Sequence, residues 1–349
     1  MTDPKKWSQI DRMIRRWVNE KAIPGAVVDI SLGADVRWSQ AYGSYSDGTA
    51  ECQVTERTMF DVASLTKVTV TLPVILALAE RGRLRLDDPV QAYIPAFRHS
   101  NVTLRHLLMH TSGLSPELPY AKRTERRDVI PLVLKQELVT EPGEQAVYSD
   151  LGMILLGEVA AVVSGQSLES CARRYVFDPL GMADSMFNPR SELIGRIAAT
   201  EPLDGGTGYV HGVVHDEKSY HLGGVSGSAG LFTTAGDLRK YARAWLDRDG
   251  GGLLNRETIN ACFRNPYQGR ALGWELWHGQ DRAPSCGASW PHGSFGHTGF
   301  TGTSLWIDPF HELIVVFLTN AVHFGRSPIM RELRPILHTA VYTSLIEDK

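Results

Sequence analysis

The sequence predicts an α+β fold, in which one antiparallel sheet is built from the two ends of the chain and a mainly helical region is inserted between them. Three observations lead there. Runs rich in β-branched and alternating residues occur early, at 26–32 and 36–42, and late, at 272–277, 302–307 and 313–318. Helical patterns at 7–18 and 328–346 flank those runs, and further helical segments fill the middle. The chain therefore divides into a sheet region, 1–62 with 230–349, and an inserted helical region, 63–229, with a site expected at their junction.

In chain order, Trp7, Ile10, Met13, Ile14, Trp17 and Val18 recur at helical spacing, and Ile23, Pro24 and Gly25 end that pattern. The turn Gly33, Ala34, Asp35 makes a hairpin of the next two runs. The polar, glycine-containing stretch 43–55 reads as a loop. A long apolar run, Val68 to Ala79, reads as a buried helix starting near Ser64 and closed by Gly82. Thr103 caps a short helix that runs toward Gly113, and segments 128–138, 151–164 and 168–177 are helices. Stretch 185–228, with His211, His215 and His221, reads as irregular surface structure near the site. Thr234 and Asp237 resemble a capping box for a helix reaching Leu246.

Composition removes several function classes. A net charge of −3 leaves no basic excess for nucleic acid or an anionic membrane surface. No apolar run reaches the roughly 18 residues of a membrane span, and Asp11, Arg15 and Arg16 interrupt the first helix, so it lacks the core of an export signal. A cytoplasmic location is expected. Cys52, Cys171, Cys262 and Cys286 are scattered, as buried free thiols are, and show no metal or redox spacing. His106 with His110, and His211 with His215, are each four apart but lack a third ligand, so neither a metal nor another cofactor is expected.

The chemistry concentrates in three places. Ser64 and Lys67 are three apart, so on a helix Oγ and Nζ share one face. A hydroxyl becomes a nucleophile when a neighbour takes its proton, which requires an uncharged lysine amine. Tyr148, delivered by a turn-rich stretch just ahead of Asp150, is placed to hydrogen-bond Ser64 and share a proton with Lys67. Third, the glycine-dense run Gly296, His297, Thr298, Gly299, Phe300, Thr301, Gly302 leads into a strand and implies close backbone approach to a ligand. Each piece has a plainer alternative: a helix-capping serine, a loop tyrosine, a structural histidine.

In this order the three pieces resemble the penicillin-recognising serine hydrolases with a Ser-x-x-Lys signature, and more closely the class C β-lactamase-related group of D-amino-acid peptidases and family VIII esterases. Leu104 to Leu114 and Ala229 to Thr234 are similar to stretches typical of that group. The resemblance implies a β-lactamase/DD-peptidase-like fold and a hydrolase that is acylated on Ser64. Lys67 would be the base, and Tyr148 would complete the proton network and activate water. The backbone N–H groups of Ser64 and Phe300 would hold the oxyanion, with Asp150, His297, Thr298 and Gly299 binding substrate.

Two positions depart from the class C pattern: Asp150 stands for an asparagine and His297 for a lysine. A donor amide becomes an acceptor, and a permanent cation becomes a titratable one, so weak or absent β-lactam turnover is expected. A cationic His297 gripping a substrate carboxylate would make acidic substrates lose rate as pH rises through its titration. The expected partner is a small-molecule ester, amide or muropeptide-like substrate. Tyr148-Ser149-Asp150-Leu151, His215 to Glu217 and Leu222 to Gly227 are similar to relatives with muropeptide amidase or recycling roles. A non-catalytic penicillin-binding sensor remains the alternative from another class. An α/β-hydrolase does not, because no Gly-x-Ser-x-Gly occurs. Loops 115–127, 185–228 and 278–295, with Tyr120, Phe187, Tyr209, Tyr220 and Trp290, are expected to give the pocket apolar walls.

Overall fold

Strand pairing joins the two ends of the chain in a computed structural model that describes residues 4–203, 208–247, 250–279 and 284–347. Parts of the sequence reading therefore lie outside the described residues: 1–3, 204–207 of the 185–228 stretch, and 280–283 of the 278–295 loop. The strands are β1 (Gly25–Leu32), β2 (Val36–Ser46), β3 (Glu51–Gln53), β4 (Phe60–Asp61), β5 (Phe232–Thr233), β6 (Glu275–Leu276), β7 (Phe295–Thr298), β8 (Ser304–Asp308) and β9 (Leu313–Thr319). Seven of them form one antiparallel sheet in the order β3-β2-β1-β9-β8-β7-β6, while β4 and β5 pair separately. The first strand thus lies beside the last, with Ala26 opposite Thr319 and Leu32 opposite Leu313.

Both faces of this sheet are covered, which is why β1 and β9 read as nearly unbroken apolar runs. Ala26, Val28 and Ile30 pack with Ile10, Ile14 and Trp17 of the helix Pro4–Asn19 and with Leu337 and Val341 of Met330–Tyr342. Val27 turns to the opposite core, shared with Leu238, Tyr241 and Trp245 of the helix Ala235–Leu246 and with the whole helical region. Each fully buried side chain of this size contributes about 1.5–3 kcal/mol. Asp29 turns to the same side as Val27, and Arg37 and Arg239, each at 3.2 Å, compensate its burial.

The structure changes four readings. Stretch 43–55 is not all loop: β2 continues to Ser46 and β3 pairs with it. Glu51 and Gln53 are exposed at the sheet edge, so β3 carries no apolar signal. His297 and Thr298 lie within β7 itself rather than ahead of a strand. The predicted strand 272–277 contracts to Glu275–Leu276. Finally, the helix after Ser64 opens with a wide turn, Lys67–Thr71, in which Leu72 N–H reaches the Lys67 carbonyl, before the regular helix Leu72–Glu80. Pro73 explains that turn: it has no N–H to give Thr69 and its ring would collide with that carbonyl in a regular helix.

The cysteines are all free. No single helix among the described residues is long and apolar enough to cross a membrane.

Candidate active site

From Thr58 to Leu78 every residue is buried except Ser64. The backbone that exposes it is strained and specifically held. Ala63 has φ +46°, a left-handed conformation that costs a non-glycine residue about 1–2 kcal/mol. Ala63 N–H donates to Asp61 Oδ1 at 2.8 Å, and Asp61 Oδ2 accepts from His215 N–H at 2.6 Å. The turn after β7 is stitched to the same segment: Thr301 Oγ1 donates to the Asp61 carbonyl at 2.7 Å and Thr303 Oγ1 to that of Val62 at 3.1 Å. Gly299 permits this approach, because a Cβ there would stand 2.3 Å from the Val62 carbonyl oxygen and 2.2 Å from Thr303 Oγ1. Neither Ser64 N–H nor Phe300 N–H has an acceptor among the described residues, as an oxyanion site requires.

Behind Ser64 lies a fully buried lysine. Lys67 Nζ donates to Ser64 Oγ at 2.9 Å and to the Ser228 carbonyl at 2.8 Å, and stands 2.7 Å from Asp150 Oδ1. Burial opposes its charge, yet the Asp150 carboxylate and the Tyr148 phenol outweigh that and raise its pKa above the ordinary lysine value. The expectation of an uncharged amine is therefore corrected: at rest Lys67 is an ammonium that donates to the serine. Asp150 is corrected as well. Its second oxygen lies 3.2 Å from Lys218 Nζ, and the residue does not line the cavity in front of Ser64.

Tyr148 does line that cavity. Its ring lies 4.7 Å from the His110 ring and 5.7 Å from that of His297, with Lys67 Nζ at 5.1 Å and the Arg270 guanidinium at 5.3 Å from its centre. His110 holds the loop that delivers the tyrosine: its carbonyl accepts from Val147 N–H at 2.8 Å and Nδ1 accepts from Ser149 N–H at 3.2 Å. Burial, with Arg270 and Lys67 nearby, pushes the His110 pKa well down, so it serves as a neutral acceptor.

His297 is likewise neutral. Burial first, then Arg270 and Lys67, drive its pKa well below the usual range, and Nδ1 donates to the Thr298 carbonyl at 2.8 Å. It does not supply the cation expected from the sequence. The positive charge comes instead from arginines that no motif announces. The cavity, about 590 Å³, is lined by Ser64, Tyr148, Glu275 and His297 to Phe300, together with Arg270, Arg326, Arg331 and Arg334. None of Arg270, Arg331 and Arg334 is ion-paired among the described residues. Arg334 is 8% exposed, donates to the Gly299 carbonyl and has no partner for Nε among the described residues, and burial pushes its pKa down to about 10.

The apolar part of the wall comes from Phe300, Val322, Pro328 and Met330 rather than from the aromatic residues expected. Phe187 and Trp290 are core residues, and none of Tyr120, Tyr209 and Tyr220 lines the cavity. Beyond Phe300, Arg326 packs between the Phe300 and Tyr120 rings, each 5.8 Å away, and pairs with Glu201 and Glu217. The histidine pairs are spent locally. His106 Nδ1 accepts from Thr103 N–H, His211 meets the Ile197 carbonyl and His215 meets Glu201.

The chain is similar to known proteins over nearly its whole length. Over 91% of its length the chain is 30% identical to a candidate D-alanyl-D-alanine carboxypeptidase of Escherichia coli (strain K12), covering 83% of that protein. It is 31% identical, also over 91% of its length, to an N-acetylmuramyl-L-alanine amidase of Bacillus subtilis (strain 168), covering 82% of that relative. A class C β-lactamase from Rhodobacter sphaeroides has the same fold, with a TM-score of 0.76 at 20% identity over 97% of this chain and 99% of that one. The model of the Beta-lactamase family matches residues 10–337, so the chain belongs to that family and is a serine hydrolase.

Proposed function

We propose that Ser64 is acylated by an ester or amide carrying a nearby carboxylate, a peptide or muropeptide-like compound, and that Lys67 and Tyr148 move the protons. The site lies at the junction of region 63–229, which supplies Ser64, Lys67 and Tyr148, and the sheet region, which supplies His297 to Phe300. One observation carries the reading. The single accessible hydroxyl of a buried segment touches Lys67 at 2.9 Å beside two backbone N–H groups without acceptors among the described residues.

When the Lys67–Tyr148 pair holds one proton fewer, it takes the proton of Ser64 as Oγ attacks the acyl carbon. The negative oxygen then sits on the N–H groups of Ser64 and Phe300, each worth about 3–4 kcal/mol in comparable sites. The proton passes to the leaving alcohol or amine as its bond to the acyl carbon breaks. Water, deprotonated by the same pair, releases the acid. Arg270, Arg331 and Arg334 receive the carboxylate, a role the neutral His297 leaves to them. Asp150, bound by two lysines, offers no amide N–H to a β-lactam side chain, which supports slow β-lactam turnover.

The names of the two curated relatives support a cell-wall peptide or muramyl amide as the substrate class. A fluorophosphonate probe followed by mass spectrometry, alongside turnover of p-nitrophenyl esters and D-alanyl peptides, tests the reading. An adduct on Ser64 with sustained turnover is expected. An adduct without turnover would leave a penicillin-binding sensor, and no adduct would remove the assignment.

A further inference from the structure

Asp150 is shared. Its Oδ1 lies 2.7 Å from Lys67 Nζ and its Oδ2 lies 3.2 Å from Lys218 Nζ, so one carboxylate stands between two ammonium groups. Lys218 is itself enclosed, with 11% of its side chain exposed, and it reaches Asp216 Oδ1 at 2.8 Å and Glu117 at 4.0 Å. Asp216 is anchored by capping the helix Glu217–His221, where it accepts from Ser219 N–H at 2.7 Å. Charges therefore alternate along an enclosed line, Lys67, Asp150, Lys218, Asp216, that ends on Ser64 Oγ. Lys218 touches neither Ser64 nor the cavity. The other polar groups facing Lys67 are Tyr148, the Ser228 carbonyl and, further off, neutral His110 and His297 with cationic Arg270.

We propose that Lys218 is a positioning residue for the hydrolysis: by drawing on Asp150 it weakens the hold of that carboxylate on the Lys67 proton and so sets the pH above which Ser64 can be deprotonated. The physical reason is that a cation beyond the carboxylate makes the potential at Lys67 more positive and so less favourable to an ammonium, and water does not screen so enclosed a line strongly. Lys218 itself is held firmly charged by Asp216 and Asp150. This inference rests on the reading of Ser64, Lys67 and Tyr148 given above.

The test is kcat/KM for p-nitrophenyl acetate between pH 5 and 10. In Lys218→Met the rise of kcat/KM with pH should move up by about one pH unit, a roughly tenfold loss wherever the rate still climbs with pH. Lys218→Arg should restore the native profile. Asp216→Asn, which keeps a capping side chain but removes the competing charge, should move the limb down, and it tests the idea even where Lys218→Met folds poorly. A limb that stays in place in either variant, or a loss rather than a gain in Asp216→Asn, would overturn the role of Lys218. Fluorophosphonate labelling of Ser64 at pH 10 separates the two failures: labelling with an unmoved limb rejects this inference alone, whereas absent labelling in the native protein rejects the underlying reading.

Discussion

Lys67 and Asp150 form a 2.7 Å ion pair directly behind Ser64. A buried pair is weak evidence for stability, because desolvation consumes most of the attraction, but losing one member strands the other. Asp150→Ala should therefore cost about 3–5 kcal/mol, whereas Asp150→Asn, which retains a hydrogen-bonding oxygen for Lys67, should cost less. Chemical denaturation of the two variants side by side measures the difference, and equal costs would show that the charge contributes little.

Ser64→Ala should reduce turnover by on the order of 10⁶-fold and abolish probe labelling, with little change in denaturation midpoint. The side chain is at the surface of an otherwise buried segment, so few packing contacts are lost. Retention of most activity would mean that another nucleophile is at work.

Gly299→Ala separates positioning from packing. The new methyl would meet the Val62 carbonyl and Thr303 Oγ1 at 2.3 and 2.2 Å and push the turn away from the nucleophile segment. Overpacking of this kind costs about 1–3 kcal/mol of stability, but displacing the Phe300 N–H should lower kcat by about 100-fold or more. Initial-rate kinetics at saturating ester, compared with the denaturation midpoint, checks the split.

Arg334→Met should weaken kcat/KM for substrates carrying a carboxylate by about tenfold or more while leaving neutral esters nearly unchanged. Because His297 is held neutral by burial, both substrate classes should show the same pH dependence between about pH 6 and 8. A fall confined to acidic substrates in that range would return the cationic role to His297.

His338 gives a pH dependence of stability. It is fully buried, contacts Ser304 Oγ at 3.0 Å, and burial with Arg334 nearby pushes its pKa down to about 3 from 6.5. The unfolded chain takes up the proton first, so this stability is fully present above about pH 6.5 and is lost as pH falls toward 3, at about 1.4 kcal/mol per pH unit. His110 and His297 add to the slope in the same direction, and Asp61, whose pKa burial raises, opposes it. His338→Gln should flatten the loss between pH 6 and 4 in urea titrations; an unchanged slope would assign it elsewhere.

Much of this molecule was legible because its strongest signals are local. The nearly unbroken apolar runs of β1 and β9, the capped turn at Thr103 and the spacing of Ser64 and Lys67 each express one short-range rule. What escaped depends on long-range placement. Arg270 and Arg334 carry no motif, and only the fold brings them to one cavity. Lys218 sits in a polar stretch that reads as surface, yet it meets Asp150 from 68 residues away. The charge of Lys67 could not be read from spacing, since burial and Asp150 act in opposite directions. His297 looked titratable because exposure, not identity, decides its protonation.

The pairing of β1 with β9 also bears on how this chain acquires its shape during synthesis. Val27 has no neighbour on that side until Leu318 has left the ribosome, so the central sheet closes only after the whole helical middle has been made. The helical middle, rich in nearby contacts, can collapse first and wait. Premature termination ahead of residue 313 would leave the hairpin β1–β2 with an open flank, an edge exposed to association with other strands rather than a smaller version of the enzyme.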